Sequence, residues 1–107
     1  HFGLNNLYAI VDSNKMQSLD YCENTLDSGS LEGKWQAFGW HTVSVDGHNH
    51  NELAEALSAQ SDKPIAIIAN TTKGKGVSFM ENQVSWHGAA PSDEQYEQAV
   101  AEIKATM

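Results

Sequence analysis

"PIAIIAN", residues Pro64 to Asn70, is the stretch on which the fold turns. Ile65-Ala66-Ile67-Ile68-Ala69 is apolar without a break and shows no alternation, so it reads as a strand with both faces buried, the pattern found when helices cover a parallel sheet on each side. Pro64 suits the first position of such a strand, where no ladder N–H is lost.

The elements on either side agree. Upstream, His41-Thr42-Val43-Ser44-Val45 alternates polar and apolar residues, which predicts a second strand ending at the Asp46-Gly47 turn. Asn49 and Glu52 form a capping-box pair for a helix carrying Leu53, Ala54, Ala56 and Leu57. Further back, Leu7-Tyr8-Ala9-Ile10-Val11 reads as a buried strand. It is followed by a polar, aperiodic stretch, Ser13 to Gly29, long enough to suggest function. Ser30 then caps a helix whose Leu31, Trp35 and Phe38 share a face and which Gly39 ends. Downstream of the decisive strand, a long loop runs from Asn70 to Pro91. Ser92 and Gln95 cap a last helix with the stripe Tyr96, Ala99, Val100, Ile103. The order strand, helix, strand, helix, strand predicts an α/β fold with a parallel three-stranded sheet and right-handed crossover helices.

At 107 residues the chain is at most one small domain, 40% hydrophobic and 19% charged, as in ordinary globular proteins. Its formal charge of −8 argues against nucleic acid or an anionic membrane as partner, since both require clustered Lys and Arg. No apolar run reaches membrane-spanning length and no signal-like segment is visible, so a cytoplasmic location is the default expectation. The single Cys22 leaves no internal disulfide and reads as a bystander thiol. Helix-stop signals at Gly3 and Asn5 look like the tail of a preceding helix and suggest a piece of something longer.

In a parallel sheet the loops after the first and third strands leave at the same edge, where open sheets bind ligands. The first loop offers Asn14, with Asp12 just before it. The second offers Lys73-Gly74-Lys75-Gly76, whose cations and glycine backbone amides suit a phosphate oxyanion, and His87 in "SWHG". Amide and carbonyl oxygens with a phosphate counterpart suit a hard cation such as Mg²⁺. Each signal alone has a plainer reading. A Gly-Lys loop is usually a solvated turn, a lone His87 is usually structural, and Trp86 usually packs. His48 and His50 in "VDGHNH" read as a structural loop, and Asp93-Glu94 as charges matched to a helix N-terminus.

Four stretches, "NNLYAIVDSNKMQS", "KWQAFGWHTVSVDGH", "IIANTTKGKGVSFMEN" and "SWHGAAP", follow one another at ordinary spacing over nearly the whole chain. Together they resemble the second half of the diphosphate-binding domain of transketolases, above all the N-terminal subunits of split transketolases. The resemblance implies residues 1–107 as the C-terminal part of that domain, with thiamine diphosphate and Mg²⁺ or Ca²⁺ as cofactors. It also implies transfer of a two-carbon ketol unit from a ketose phosphate to an aldose phosphate. Asn14 would close the fingerprint that opens with Gly-Asp-Gly, its side-chain oxygen binding the metal beside the backbone carbonyl of Met16. Lys73 would lie near the diphosphate. His87 would contact the diphosphate and a substrate oxygen and assist proton transfer, as the catalytic residue. Gln17 is a looser candidate.

Two departures from the family pattern matter. No Gly-Asp-Gly precedes Asn14 within these residues, and the pyrimidine-binding domain with its activating glutamate is not among them. The implied partners are therefore a pyrimidine-domain subunit or a second protomer, in an oligomer, and the chain alone is expected to be inactive. The competing readings are a non-catalytic α/β assembly or regulatory module, and a nucleotide-binding or phosphate-binding receiver domain, which fits the topology but not "SWHG".

Overall fold

The structure is a computed structural model describing residues 2–106. Two compact units make up the chain. One is formed by the segment ending at Asn14 together with Ser28–Thr71, and the other by Lys15–Asp27 together with the segment from Thr72 onward.

The first unit holds a parallel three-stranded sheet. Its strands are β1 (Tyr8–Ser13), β4 (His41–Asp46) and β5 (Ile65–Asn70), in the order β1-β5-β4. The decisive stretch is the middle strand. Ile65 through Ala69 are all buried, because β5 is paired on both edges and covered on both faces. In register, Tyr8 and His41 flank Ile65, while Ser13 and Asp46 flank Asn70. β1 runs two residues further than the hydrophobic run predicts, because Asp12 and Ser13 still find ladder partners in Ala69 and Asn70.

Helix α2 (Leu31–Ala37) is capped by the Ser30 hydroxyl, which accepts the Gly33 N–H at 3.0 Å, and the chain leaves it through Gly39 at φ +85. Leu31 and Trp35 are half-buried and Trp35 meets Trp40 edge-on at 4.7 Å. Phe38, predicted to share their buried face, is 83% exposed; it is the C-cap residue, past the last turn. Helix α3 (His50–Ser58) sets Ala56 on Ile65 and Ile67, with Tyr8, Val43, Val45 and Ala59 around them, and the Tyr8 hydroxyl donates to the Ala59 carbonyl at 2.8 Å. The predicted capping pair is altered. Asn49 Oδ1 accepts from the Asn51 and Glu52 N–H groups, and Glu52 in return takes the Asn49 side-chain amide on Oε1 at 2.8 Å instead of the Asn49 backbone, while its Oε2 accepts the Asp46 N–H at 2.8 Å, joining the helix to the end of β4.

In the second unit the aperiodic stretch after Asn14 is not irregular. Met16–Gln17 (β2) and Asp20–Tyr21 (β3) form a small antiparallel hairpin, followed by the single turn α1 (Cys22–Thr25). Lys15 at φ +64 and Ser18 at φ +53 supply the left-handed residues that glycine or asparagine usually provides, which is why no turn signal marks the hairpin in the sequence. Helix α4 (Asp93–Ala105) carries the full reciprocal capping box between Ser92 and Gln95. Of its apolar stripe, Ala99 and Val100 are half-buried while Tyr96 and Ile103 are 61% and 45% exposed.

Candidate functional site

The carboxyl ends of β1 and β5 lie side by side in the first unit, as a parallel pair requires. Both are tied down there. The Thr71 hydroxyl donates a short hydrogen bond to Asp12 Oδ1, and the Thr71 N–H donates to the Ser13 carbonyl at 3.4 Å. Ser13 is buried and Asn14, the next residue, is half-buried. The Asp12 carboxylate thus serves to fasten the two chain exits. Asn70 works the other edge, its Nδ2 donating to Ser44 Oγ at 2.9 Å and to the Val45 carbonyl at 3.3 Å. The turn after β4 closes on the same strand end. The Gly47 N–H donates to the Asn70 carbonyl at 2.8 Å, and a Cβ on Gly47 would collide with Thr71 Cγ2. The His48 N–H donates to Asp46 Oδ1 at 2.9 Å in the same turn.

The remaining predicted residues, Met16, Lys73 and His87, belong to the second unit. Met16 faces Tyr21 and Gln17 faces Asp20 in the hairpin. Because the Cys22 N–H donates to the Lys15 carbonyl at 2.8 Å, and hydrogen-bonded and non-hydrogen-bonded pairs alternate along an antiparallel ladder, Met16 occupies a non-hydrogen-bonded position. Its carbonyl is therefore directed away from β3. Asn14, just after β1, offers an amide oxygen, and Met16, in the hairpin, a main-chain oxygen; each is of the donor type that suits a hard divalent cation. Among the described residues no group of three or more His, Cys, Asp or Glu side chains could hold a metal ion.

The Gly-Lys loop is internally folded. Lys75 N–H donates to the Thr72 carbonyl, Val77 N–H to that of Gly74, and Asn82 N–H back to that of Lys73 at 3.0 Å, with Asn82 itself left-handed at φ +55. Val77 is buried and anchors the loop. Gly74, at φ +74, is required by the close approach of Met80, whose carbonyl oxygen would lie 2.5 Å from a Cβ. Gly74 serves packing within the loop, and the Gly76 amide is taken by Glu81 Oε1 at 3.0 Å. Glu81 also pairs with the Lys75 ammonium at 3.5 Å. The half-buried Lys73 has no ion-pair partner among the described residues, which singles it out from its neighbour as the loop cation available to an anion.

Downstream, Val84–His87 forms a 3₁₀ turn. Trp86 holds it, its indole N–H donating to the Phe79 carbonyl at 2.9 Å and its ring tilted against the Phe79 ring at 5.3 Å. Trp86 is therefore a packing residue, as its plainer reading has it, and His87 next to it is exposed. From α4, Glu102 accepts the Ser78 N–H at 2.5 Å and the Ser78 hydroxyl at 2.7 Å, and Gln98 Nε2 donates to it at 2.7 Å. The Ser78 backbone bond first, then those from Gln98 and the Ser78 hydroxyl, hold the Glu102 carboxyl below the ordinary glutamate range. Neither Glu81 nor Glu102 is recognisable in the sequence as a loop clamp. The only local sign is the i, i+4 spacing of Gln98 and Glu102.

A parallel three-stranded sheet with crossover helices defines the α/β class of protein, whose open sheets bind ligands beyond the carboxyl ends of their strands. Comparison makes this specific. Residues 1–105 match the family described as transketolase, thiamine diphosphate binding domain, and the chain belongs to that family. It is 41% identical over 104 residues to the 6-deoxy-6-sulfo-D-fructose transketolase subunit SqwG of Clostridium sp. (strain MSTE9), covering 94% of this chain and 38% of that protein. An apulose-4-phosphate transketolase subunit from Phocaeicola vulgatus is 37% identical over 105 residues, covering 95% of this chain and 37% of its own. Human transketolase is 37% identical over 102 residues, covering 95% of this chain and 16% of its own. The crystal structure of transketolase from Campylobacter jejuni superimposes with a TM-score of 0.83 at 28% identity, over 95% of this chain and 16% of that one. The chain thus spans little more than a third of the curated split-enzyme relatives it matches. No described helix is long and apolar enough to cross a membrane.

Proposed function

We propose that this chain is the C-terminal part of the diphosphate-binding domain of a split transketolase, working with a partner subunit that brings the pyrimidine domain. The complete enzyme would move a two-carbon ketol unit from a ketose phosphate to an aldose phosphate. Bound thiamine diphosphate supplies the nucleophilic carbon for that carbon–carbon cleavage. The protein's part is to bind, orient and move protons. Asn14 Oδ1 and the Met16 carbonyl would hold Mg²⁺ or Ca²⁺, Lys73 would neutralise the diphosphate, and His87 would hydrogen-bond a diphosphate or substrate oxygen and pass a proton there.

The observation that carries the reading is the division of labour in the Gly-Lys loop. Glu81 occupies Lys75 and the Gly76 amide, while Lys73 is left without an ion-pair partner among the described residues, a half-buried cation in the loop that follows β5. The need for a partner is supported by the relatives that are named as transketolase subunits.

The test is calorimetric titration of thiamine diphosphate with Mg²⁺ into three proteins: this chain, a form extended upstream by the fingerprint segment, and the extended form with Asn14→Ala. The extended form is expected to bind, Asn14→Ala to bind at least about tenfold more weakly through loss of a metal ligand, and the 107-residue chain neither to retain the cofactor tightly nor to turn over sugars. Absence of binding by the extended form would overturn the cofactor assignment. Ketol transfer by the isolated chain would overturn the requirement for the fingerprint segment and the pyrimidine domain.

A further inference from the structure

We infer that Glu102 is a positioning residue: by gripping Ser78 from helix α4, it fixes the loop that carries Lys73 at one end and His87 at the other. The inference rests on the roles proposed above for those two residues, but the geometry behind it stands by itself within the second unit.

The grip is two-point. One carboxylate oxygen takes the Ser78 N–H at 2.5 Å, the other takes the hydroxyl at 2.7 Å, and Gln98, one turn earlier on α4, orients the second oxygen. A carboxylate that accepts both the main-chain and side-chain donors of one residue fixes the position and rotation of that peptide, and charge-assisted bonds of this kind are about twice as strong as neutral ones. Ser78 stands at the centre of the loop's connections. On its N-terminal side is Val77, buried, whose N–H returns to Gly74 beside Lys73. On its C-terminal side is Phe79, whose carbonyl receives the Trp86 indole N–H and whose ring meets that of Trp86. Trp86 in turn precedes His87 on the 3₁₀ turn. Releasing Ser78 therefore loosens the acceptor that holds Trp86, and with it the turn that presents the histidine.

The consequence can be read without cofactor. In ¹⁵N-labelled chain, the Trp86 indole N–H signal, assigned by its loss in Trp86→Phe, reports the bond to Phe79. Glu102→Ala and Ser78→Ala are expected to speed indole hydrogen exchange roughly five- to tenfold at a temperature well below unfolding, and Ser78→Thr, which keeps the hydroxyl, to return it to within about twofold of the parent. Indole exchange unchanged in both alanine variants would overturn the inference, as would a Ser78→Thr protein that exchanges as fast as Ser78→Ala. A purely structural role predicts lowered melting temperature with no selective effect on this signal, so that outcome also counts against it. Inorganic diphosphate titrated into the same proteins separates the underlying reading. If Lys73→Ala binds diphosphate as the parent does, the role of Lys73 falls, while the indole result still decides the role of Glu102. Should Glu102→Ala fail to fold, the Ser78 pair carries the decision.

Discussion

Replacing Gly74 by alanine should break the Gly-Lys loop for two separable reasons. At φ +74 the residue lies in the left-handed region, where a side chain costs about 1–2 kcal/mol. In addition, the new Cβ would sit 2.5, 2.7 and 2.8 Å from the carbonyl oxygen, carbonyl carbon and Cβ of Met80. Two of those atoms are backbone, so relief requires moving the chain, and forced overpacking of this sort costs a further ~1–3 kcal/mol. Gly76 provides the internal control. Its φ is +92, but an added Cβ meets nothing within 4 Å, so Gly76→Ala should show the conformational part alone. Urea denaturation followed by tryptophan fluorescence and circular dichroism should place Gly74→Ala about 2–5 kcal/mol below the parent, a large share of a stability expected to be roughly 5–15 kcal/mol. Gly76→Ala should lie only about 1–2 kcal/mol below. If the two variants agree within about 0.5 kcal/mol, the approach of Met80 is not the reason for glycine at position 74 and the folded description of the loop is wrong.

At Gly47 the severest clash is with a side chain, Thr71 Cγ2, and the Asn70 carbonyl oxygen stands next at 3.1 Å. Gly47→Ala should cost about 1–3 kcal/mol, and adding Thr71→Ser, which removes the colliding methyl while keeping the hydroxyl on Asp12, should recover much of it; a strictly additive double variant would refute this. Glu102 sets a pH dependence. Because its folded-state carboxyl titrates below the ordinary glutamate range, its contribution is present above that range and is lost as pH falls through the lowered value, so melting temperature followed from about pH 6 down to about pH 3 should fall less steeply in Glu102→Gln than in the parent. The uncovered apolar residues, Ile10 at 56% exposure among them, should make the isolated chain self-associate, and sedimentation showing a strict monomer at high concentration would count against that.

What the sequence disclosed and what it withheld divide along physical lines. The three strands, the Ser30 and Ser92 caps and the parallel arrangement were legible because each depends on residues close together in the chain: an unbroken apolar run, a period of two, a hydroxyl before a helix. The hairpin after Asn14 was not, because its left-handed positions are filled by Lys15 and Ser18, residues that carry no turn signature. Helical period placed Phe38 with Trp35 and Tyr96 with Val100, but period states only which residues share a face; whether anything covers that face depends on a neighbour the pattern does not name.

The candidate site shows the same limit at finer scale. Asn14, Met16, Lys73 and His87 could be named from local motifs and a family resemblance, yet the features that give those residues their setting are pairings between residues that no motif joins. Asp12 meets Thr71, Glu81 meets Lys75 and the Gly76 amide, Glu102 meets Ser78, and Phe79 receives Trp86. A reading from spacing treats Lys73 and Lys75 as equals on a flexible glycine loop. Folding makes them unlike, because the loop turns back to bring the Glu81 carboxylate onto the second lysine and not the first. The chemistry a loop can offer an anion is thus decided less by how many cations it contains than by which of them the rest of the fold leaves uncompensated.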